Sequence, residues 1–168
     1  MRRARSWFAG ALGVYAAGWL WSWSRLPERV PIHFGPGGQA DQWSSRGSAL
    51  LFTALLGLGT TAFFVAIAAA AKHGSPFWVN IPNAGYWKQP AQMAQMRRLL
   101  IEDLWIFGTW TLLLLSSIQV LTVRAADMPR PTIAPWAPVC LAVYLVGVAA
   151  WIWWLYRRRY AVPAVPPA

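Results

Sequence analysis

Four long stretches of this chain carry almost no charge, and polar segments rich in proline and glycine separate them. Trp7 to Trp23 is uncharged over 17 residues and Ser48 to Ala71 over 24. A third run ends at Val123, and a fourth covers Trp136 to Tyr156. A helix rises about 1.5 Å per residue and the hydrocarbon core of a bilayer is about 30 Å thick, so segments of this length can cross it. The pattern predicts an all-α integral membrane protein with four transmembrane helices, at about 7–24, 48–71, 99–123 and 136–156. They form a single domain over residues 1–160. Residues 161–168 read as a disordered, Pro-rich tail.

The first run also follows a basic start, as a cleaved signal peptide does, but it is longer than a usual signal core and lacks a small-x-small cleavage site. Ala9, Gly13 and Ala17 recur at spacing four, as do Thr53, Gly57 and Thr61. Each trio predicts a helix face that a neighbouring helix can approach closely. The third helix is expected to start at Pro90, since proline suits the first helical position. Its early turns, with Met93, Met96 and Leu100 on one face, are expected to project from the membrane or lie along it.

Between the first two runs lies Arg25 to Gly47. Pro27, Pro31 and Pro36 exclude a continuous helix there. Val30 to Phe34 reads as a short extended piece and Gly35-Pro36-Gly37-Gly38 as a tight turn. A second polar loop, Lys72 to Gln89, has Pro76 and Pro82 to keep it irregular and a turn signal at Asn83-Ala84-Gly85. Phe77, Trp78, Tyr86 and Trp87 suit it to the headgroup zone.

Composition strengthens the membrane reading. Hydrophobic residues make up 57% of the chain and charged residues 12%, about half the usual charged share. The 13 tryptophans suit bilayer interfaces. The net charge of +10 would point to nucleic acid in a soluble domain, but here the basic residues flank apolar runs. The expected partner is the bilayer, not nucleic acid. With the N-terminus inside, ten of the 15 basic residues fall on the inner side. This predicts both termini in the cytoplasm, the first loop outside and the second inside. The single cysteine, Cys140, reads as a small buried hydrophobe.

Candidate chemistry is sparse. His33 and Asp41 lie eight residues apart across the Gly-Pro-Gly-Gly turn and can converge. With Glu28 they are weak candidates for a metal such as zinc, since a zinc site takes three or four protein ligands. Loop architecture, with Asp41 accepting from loop N–H groups or the His33 ring, is the blander reading. Glu102 and Asp103 are the only carboxylates in an expected span, which marks them for attention; Arg98, one turn before Glu102, is the expected ion partner. Asn80, Pro82, Asn83, Tyr86 and Trp87 read either as a docking surface or as a self-packed loop. No Ser-His-Asp set, phosphate loop or HExxH helix occurs, so no catalytic residue and no cofactor are expected.

Leu26-Pro27-Glu28-Arg29-Val30-Pro31-Ile32-His33-Phe34, followed by Gly38, Asp41 and Trp43, resembles a bacterial membrane domain of unknown function. That domain also forms the N-terminal part of SdpI-type immunity proteins. Asn80-Ile81-Pro82-Asn83, with Tyr86-Trp87 and Pro90, is similar to a second motif in short members of that family. Where members often have Glu-Arg after Tyr-Trp, this chain has Lys88-Gln89-Pro90-Ala91-Gln92. The resemblance implies a bacterial inner-membrane protein and, in the SdpI branch, protection against a secreted peptide toxin and capture of a cytoplasmic repressor.

Together these readings predict a non-enzymatic protein of the bacterial cytoplasmic membrane. The first loop, through Pro31, His33, Phe34, Gly38, Asp41 and Trp43, would bind or sense a peptide toxin or small ligand outside. The second loop would meet a cytoplasmic regulator, and a homo-oligomer is compatible with this. The alternatives are a metal-dependent membrane enzyme and an accessory subunit of a transporter or other membrane complex.

Overall fold

The computed structural model describes residues 2–75 and 79–162. It is mostly helical, with one small sheet. Helix α1 (Arg2–Arg25) leads into strands β1 (Arg29–Phe34) and β2 (Ala40–Ser45), then α2 (Arg46–His73). A single turn, α3 (Ala84–Trp87), precedes the long α4 (Met93–Ala126) and α5 (Trp136–Trp154), which ends in a wider π-type turn, Leu155–Arg159. Three of these segments are long and apolar enough to cross a membrane: Arg46–His73, Met93–Ala126 and Trp136–Arg159. Helix α1 is not apolar enough to join them on composition, although its 24 residues reach about 36 Å.

The helices alternate in direction, so the molecule has two ends. At one end the hairpin joins α1 to α2, and Leu26, Val30, Leu50 and Val123 close a small core beneath it. At the other end Ile81, Trp87, Met96 and Tyr160 form a second core. Between them, Phe8, Ala11, Tyr15, Phe64 and Leu112 make the waist of the bundle. Helix α4 runs the whole distance, contributing Met96 to one end and Val123 to the other, and α1 packs mainly along it.

Glycines set the close approaches. A Cβ on Gly108 would lie 2.6 Å from the Phe8 ring and 2.9 Å from Phe64, and one on Gly57 would collide with Tyr15. The Tyr15 hydroxyl donates to the Thr53 carbonyl at 2.5 Å, so the Thr53–Gly57 face on α2 is a packing face as expected. The expected face on α1 is not. Ala9, Gly13 and Ala17 are exposed, and the packed stripe is Ala4, Phe8, Ala11, Tyr15 and Ser22. Large side chains drive that choice, because Phe8 and Tyr15 bury far more area than alanine and glycine could.

Two further expectations change. The chain from 40 to 45 is not a plain loop: β2 pairs antiparallel with β1, Arg29 opposite Ser45 and Phe34 opposite Ala40. Helix α4 begins at Met93, not at Pro90, because residues 90–92 remain in a turn after α3. The Pro-rich tail lies outside the described residues from 163 onward, as do Phe77 and Trp78 of the second loop.

Candidate functional site

The hairpin end is built on a tight turn. Gly38 has φ 76° and donates from its N–H to the Gly35 carbonyl at 2.8 Å, while Gly35 N–H donates to the Gln39 carbonyl at 2.9 Å. A positive φ is cheap only for glycine. Gly38 is also closely packed, since a Cβ there would sit 2.6 Å from that of Ala134. The segment before α5 docks onto this turn: Ala40 N–H donates to the Pro131 carbonyl at 3.0 Å, and Ile133 N–H and the Thr132 hydroxyl both donate to the Gly38 carbonyl. Residues 131–134 thus act as a short third edge. Pro129, Pro131 and Pro135 marked them only as a connection in the sequence.

The register brings His33 and Asp41 together. Nδ1 of His33 lies 2.5 Å from Oδ1 of Asp41, and both side chains are at least half exposed. The pair therefore faces away from the core. Pro31 is buried beneath it, and Trp43, half-buried, carries the Arg29 guanidinium 5.4 Å from its ring centre. Phe34 turns to the cavity below the sheet. Glu28 does not approach the pair; its carboxylate lies 3.4 Å from Arg46. Among the described residues no group of three His, Cys, Asp or Glu side chains converges on a common point. His33 and Asp41 alone offer two ligands, short of the set that holds zinc.

The opposite end uses its polar groups inwardly. Asn83 sits at φ 54° and donates from Nδ2 to the Tyr160 carbonyl at 2.8 Å, and Trp87 Nε1 donates to the same oxygen at 3.0 Å. One backbone carbonyl at the end of α5 is thus held by both motif residues. Tyr86 stacks edge-on against Trp87, Pro82 is half-buried and Asn80 is exposed. Of the docking candidates, Asn83 and Trp87 are therefore loop architecture.

Glu102 and Asp103 meet a cation that the sequence reading missed. Arg159 donates to Glu102 Oε2 at 3.0 Å, and its Nε lies 2.8 Å from Asp103 Oδ1. The second contact is an ion pair whose N–H points off the line to the oxygen, so it is not an aligned hydrogen bond. Tyr160 donates its hydroxyl to Asp103 Oδ2 at 2.9 Å. Burial, then the charge of Asp103, pushes the Tyr160 phenol up, so it remains a neutral donor. Trp154 lies 5.6 Å under the same guanidinium. Arg98, the expected partner, is exposed. The Arg-Arg-Arg run marked Arg159 only as an inside anchor. Its π-type turn, set by the fold, is what swings it back to α4. Asp41 and Asp103 lie at opposite ends of the bundle.

Arg97 was also missed. Its guanidinium donates to the Ala71, Lys72 and Gly74 carbonyls at 3.0, 2.7 and 2.7 Å. These are the orphan acceptors at the C-terminus of α2, where a planar cation is well suited.

Residues 11–57 match the family model described as Domain of unknown function (DUF1648). The match covers most of α1, the hairpin and the first part of α2, and so includes His33, Gly38, Asp41 and Trp43. No curated protein and no solved structure matches the chain.

Proposed function

We propose that this chain is a non-enzymatic, four-span protein of the bacterial cytoplasmic membrane that binds a peptide or small ligand at its hairpin, as SdpI-type immunity proteins resist a toxin. In this reading α1 crosses as the fourth span, both termini are cytoplasmic and the hairpin is extracytoplasmic. What supports it is the contrast in how the polar groups of the two ends are bonded, since Asn83 and Trp87 hold a distant carbonyl while His33 and Asp41 bond only to each other in the described hydrogen bonds. The hairpin is fastened on two sides, by the Leu26–Val123 core and by residues 131–134, yet it presents the His33–Asp41 pair outward. A rigid strand pair displaying a carboxylate beside an imidazole is suited to a ligand with hydrogen-bond donors or a cationic group.

Helix α4 offers the route by which an event at the hairpin would reach the other side. Val123 packs under Val30, and 20 residues earlier Asp103 is held by Arg159 and Tyr160. A tilt of α4 would shift both ends at once.

Protection is the test. Sensitive cells expressing the chain and challenged with secreted antimicrobial peptides should survive better than cells without it. The His33→Ala/Asp41→Ala variant, at equal membrane level, should lose that advantage. Full protection by the double variant would make the hairpin pair structural only. Orientation is tested separately. Gly37→Cys in a Cys140→Ser background should react with a membrane-impermeant maleimide on intact cells, and Gln89→Cys should not.

A further inference from the structure

Beneath the hairpin, α1, α2, α4 and α5 enclose a cavity of about 870 Å³. That is within the range of sites that take a whole small molecule. Its walls are mostly apolar, with Phe52, Leu56, Leu114 and Leu115 on the bundle side and Val30 and Phe34 as the roof. Hydroxyls gather at the roof end, where Ser22, Ser44 and Ser48 line it.

One polar side chain that lines this cavity has no hydrogen-bond partner. Gln119 on α4 is 5% exposed and lines this cavity, and neither its Nε2 nor its Oε1 has a hydrogen-bond partner. The Tyr15 hydroxyl comes near the amide, but its proton goes to the Thr53 carbonyl and no aligned hydrogen bond joins it to Gln119. Gly18 leaves room for the amide, since a Cβ there would lie 2.7 Å from Oε1. A buried amide without partners is costly.

We propose that the cavity holds one acyl chain of a bilayer lipid from the leaflet on the hairpin side, with Gln119 pairing the carbonyl of the chain's linkage. Three features select this occupant. The cavity runs from Ser48 to Leu56 along α2, about 12 Å, close to the depth of one leaflet's hydrocarbon. It pairs a few polar groups with long apolar walls, as a lipid pairs its linkage with its chain: serine hydroxyls line the roof, Gln119, Tyr15 and Thr53 lie below them, and Leu56, Leu114 and Leu115 line the rest. It has lateral access: α2 and α5 both border it without packing together, and their outer faces, with Leu55, Leu58 and Val143, are exposed and apolar. This goes beyond the hairpin reading and does not depend on the hairpin binding anything.

The full chain in nanodiscs of phosphatidylethanolamine and phosphatidylglycerol, doped with a phospholipid bearing a diazirine in its acyl chain, provides the test. After photolysis, adducts are mapped by peptide mass spectrometry. Adducts are expected on Tyr15 and Leu115, which lie inside, as well as on the outer Leu58 and Val143. Ala137→Trp fills the cavity mouth and should remove the inner adducts while the outer ones persist. Gln119→Leu keeps the side chain's bulk and removes no aligned hydrogen bond, so it should fold, and it should lower the inner adducts about fivefold, as expected for one lost hydrogen bond. Labelling confined to Leu58 and Val143 in the wild type overturns the proposal. So do inner adducts that Gln119→Leu leaves unchanged.

Discussion

Each end of this molecule carries a polar motif, and the two ends use them in opposite ways. At the hairpin end, His33 and Asp41 bond to each other and face outward, while backbone hydrogen bonds to residues 131–134 hold the structure together. At the other end, Asn83, Trp87, Arg97 and Arg159 are the fastenings themselves, each bound to a carbonyl or carboxylate of another helix or turn. Whether a polar motif is display or fastening is decided by which groups the backbone leaves unpaired. The strand pair and the edge at residues 131–134 satisfy the hairpin's backbone, and this frees its side chains. The helix termini leave carbonyls that only side chains can reach.

This contrast orders the effects of mutation. Arg159→Ala strands the Asp103 carboxylate, in a side chain only 4% exposed, and should cost about 3–5 kcal/mol in unfolding of the purified protein. Adding Asp103→Asn should restore part of that loss. Removing Arg97 leaves the α2 carbonyls without their donor, and Arg97→Met should cost roughly 1.5–3 kcal/mol by the same measurement. Gly38→Ala combines a positive φ with a contact on Ala134 and should cost about 1–3 kcal/mol. Its signature is local: faster hydrogen exchange at the Ala40 and Ile133 amides, with the far end unchanged. Smallest is Glu28→Gln. The Glu28–Arg46 pair is exposed, so stability should move by no more than about 1 kcal/mol.

Helices α2, α4 and α5 were legible in the chain because uninterrupted apolar runs leave few alternatives, and the hairpin turn because Gly-Pro-Gly-Gly has few conformations. Strand β2 was not legible: Ala40 to Ser45 lacks an apolar alternation, and its partner strand supplies the pairing. The packed face of α1 was misread because spacing of small residues marks where a helix can come close, not where large side chains will fill the gap. Arg159 was out of reach of any local rule, since it meets Glu102 across 57 residues through a turn that only the assembled bundle defines. Gln119 stood inside an apolar run without a motif. Its place in a cavity wall without an aligned hydrogen bond is visible only once α1, α2 and α5 surround it.

The measurement that bears most directly on the central contrast compares two double variants of the full chain in one unfolding assay. Asn83→Ala/Trp87→Phe removes both side-chain donors from the Tyr160 carbonyl and should lower stability by about 1–3 kcal/mol. His33→Ala/Asp41→Ala removes an exposed pair and should change it by less than about 1 kcal/mol. Equal losses, or a larger loss from the hairpin pair, would contradict the division into a displaying end and a fastening end.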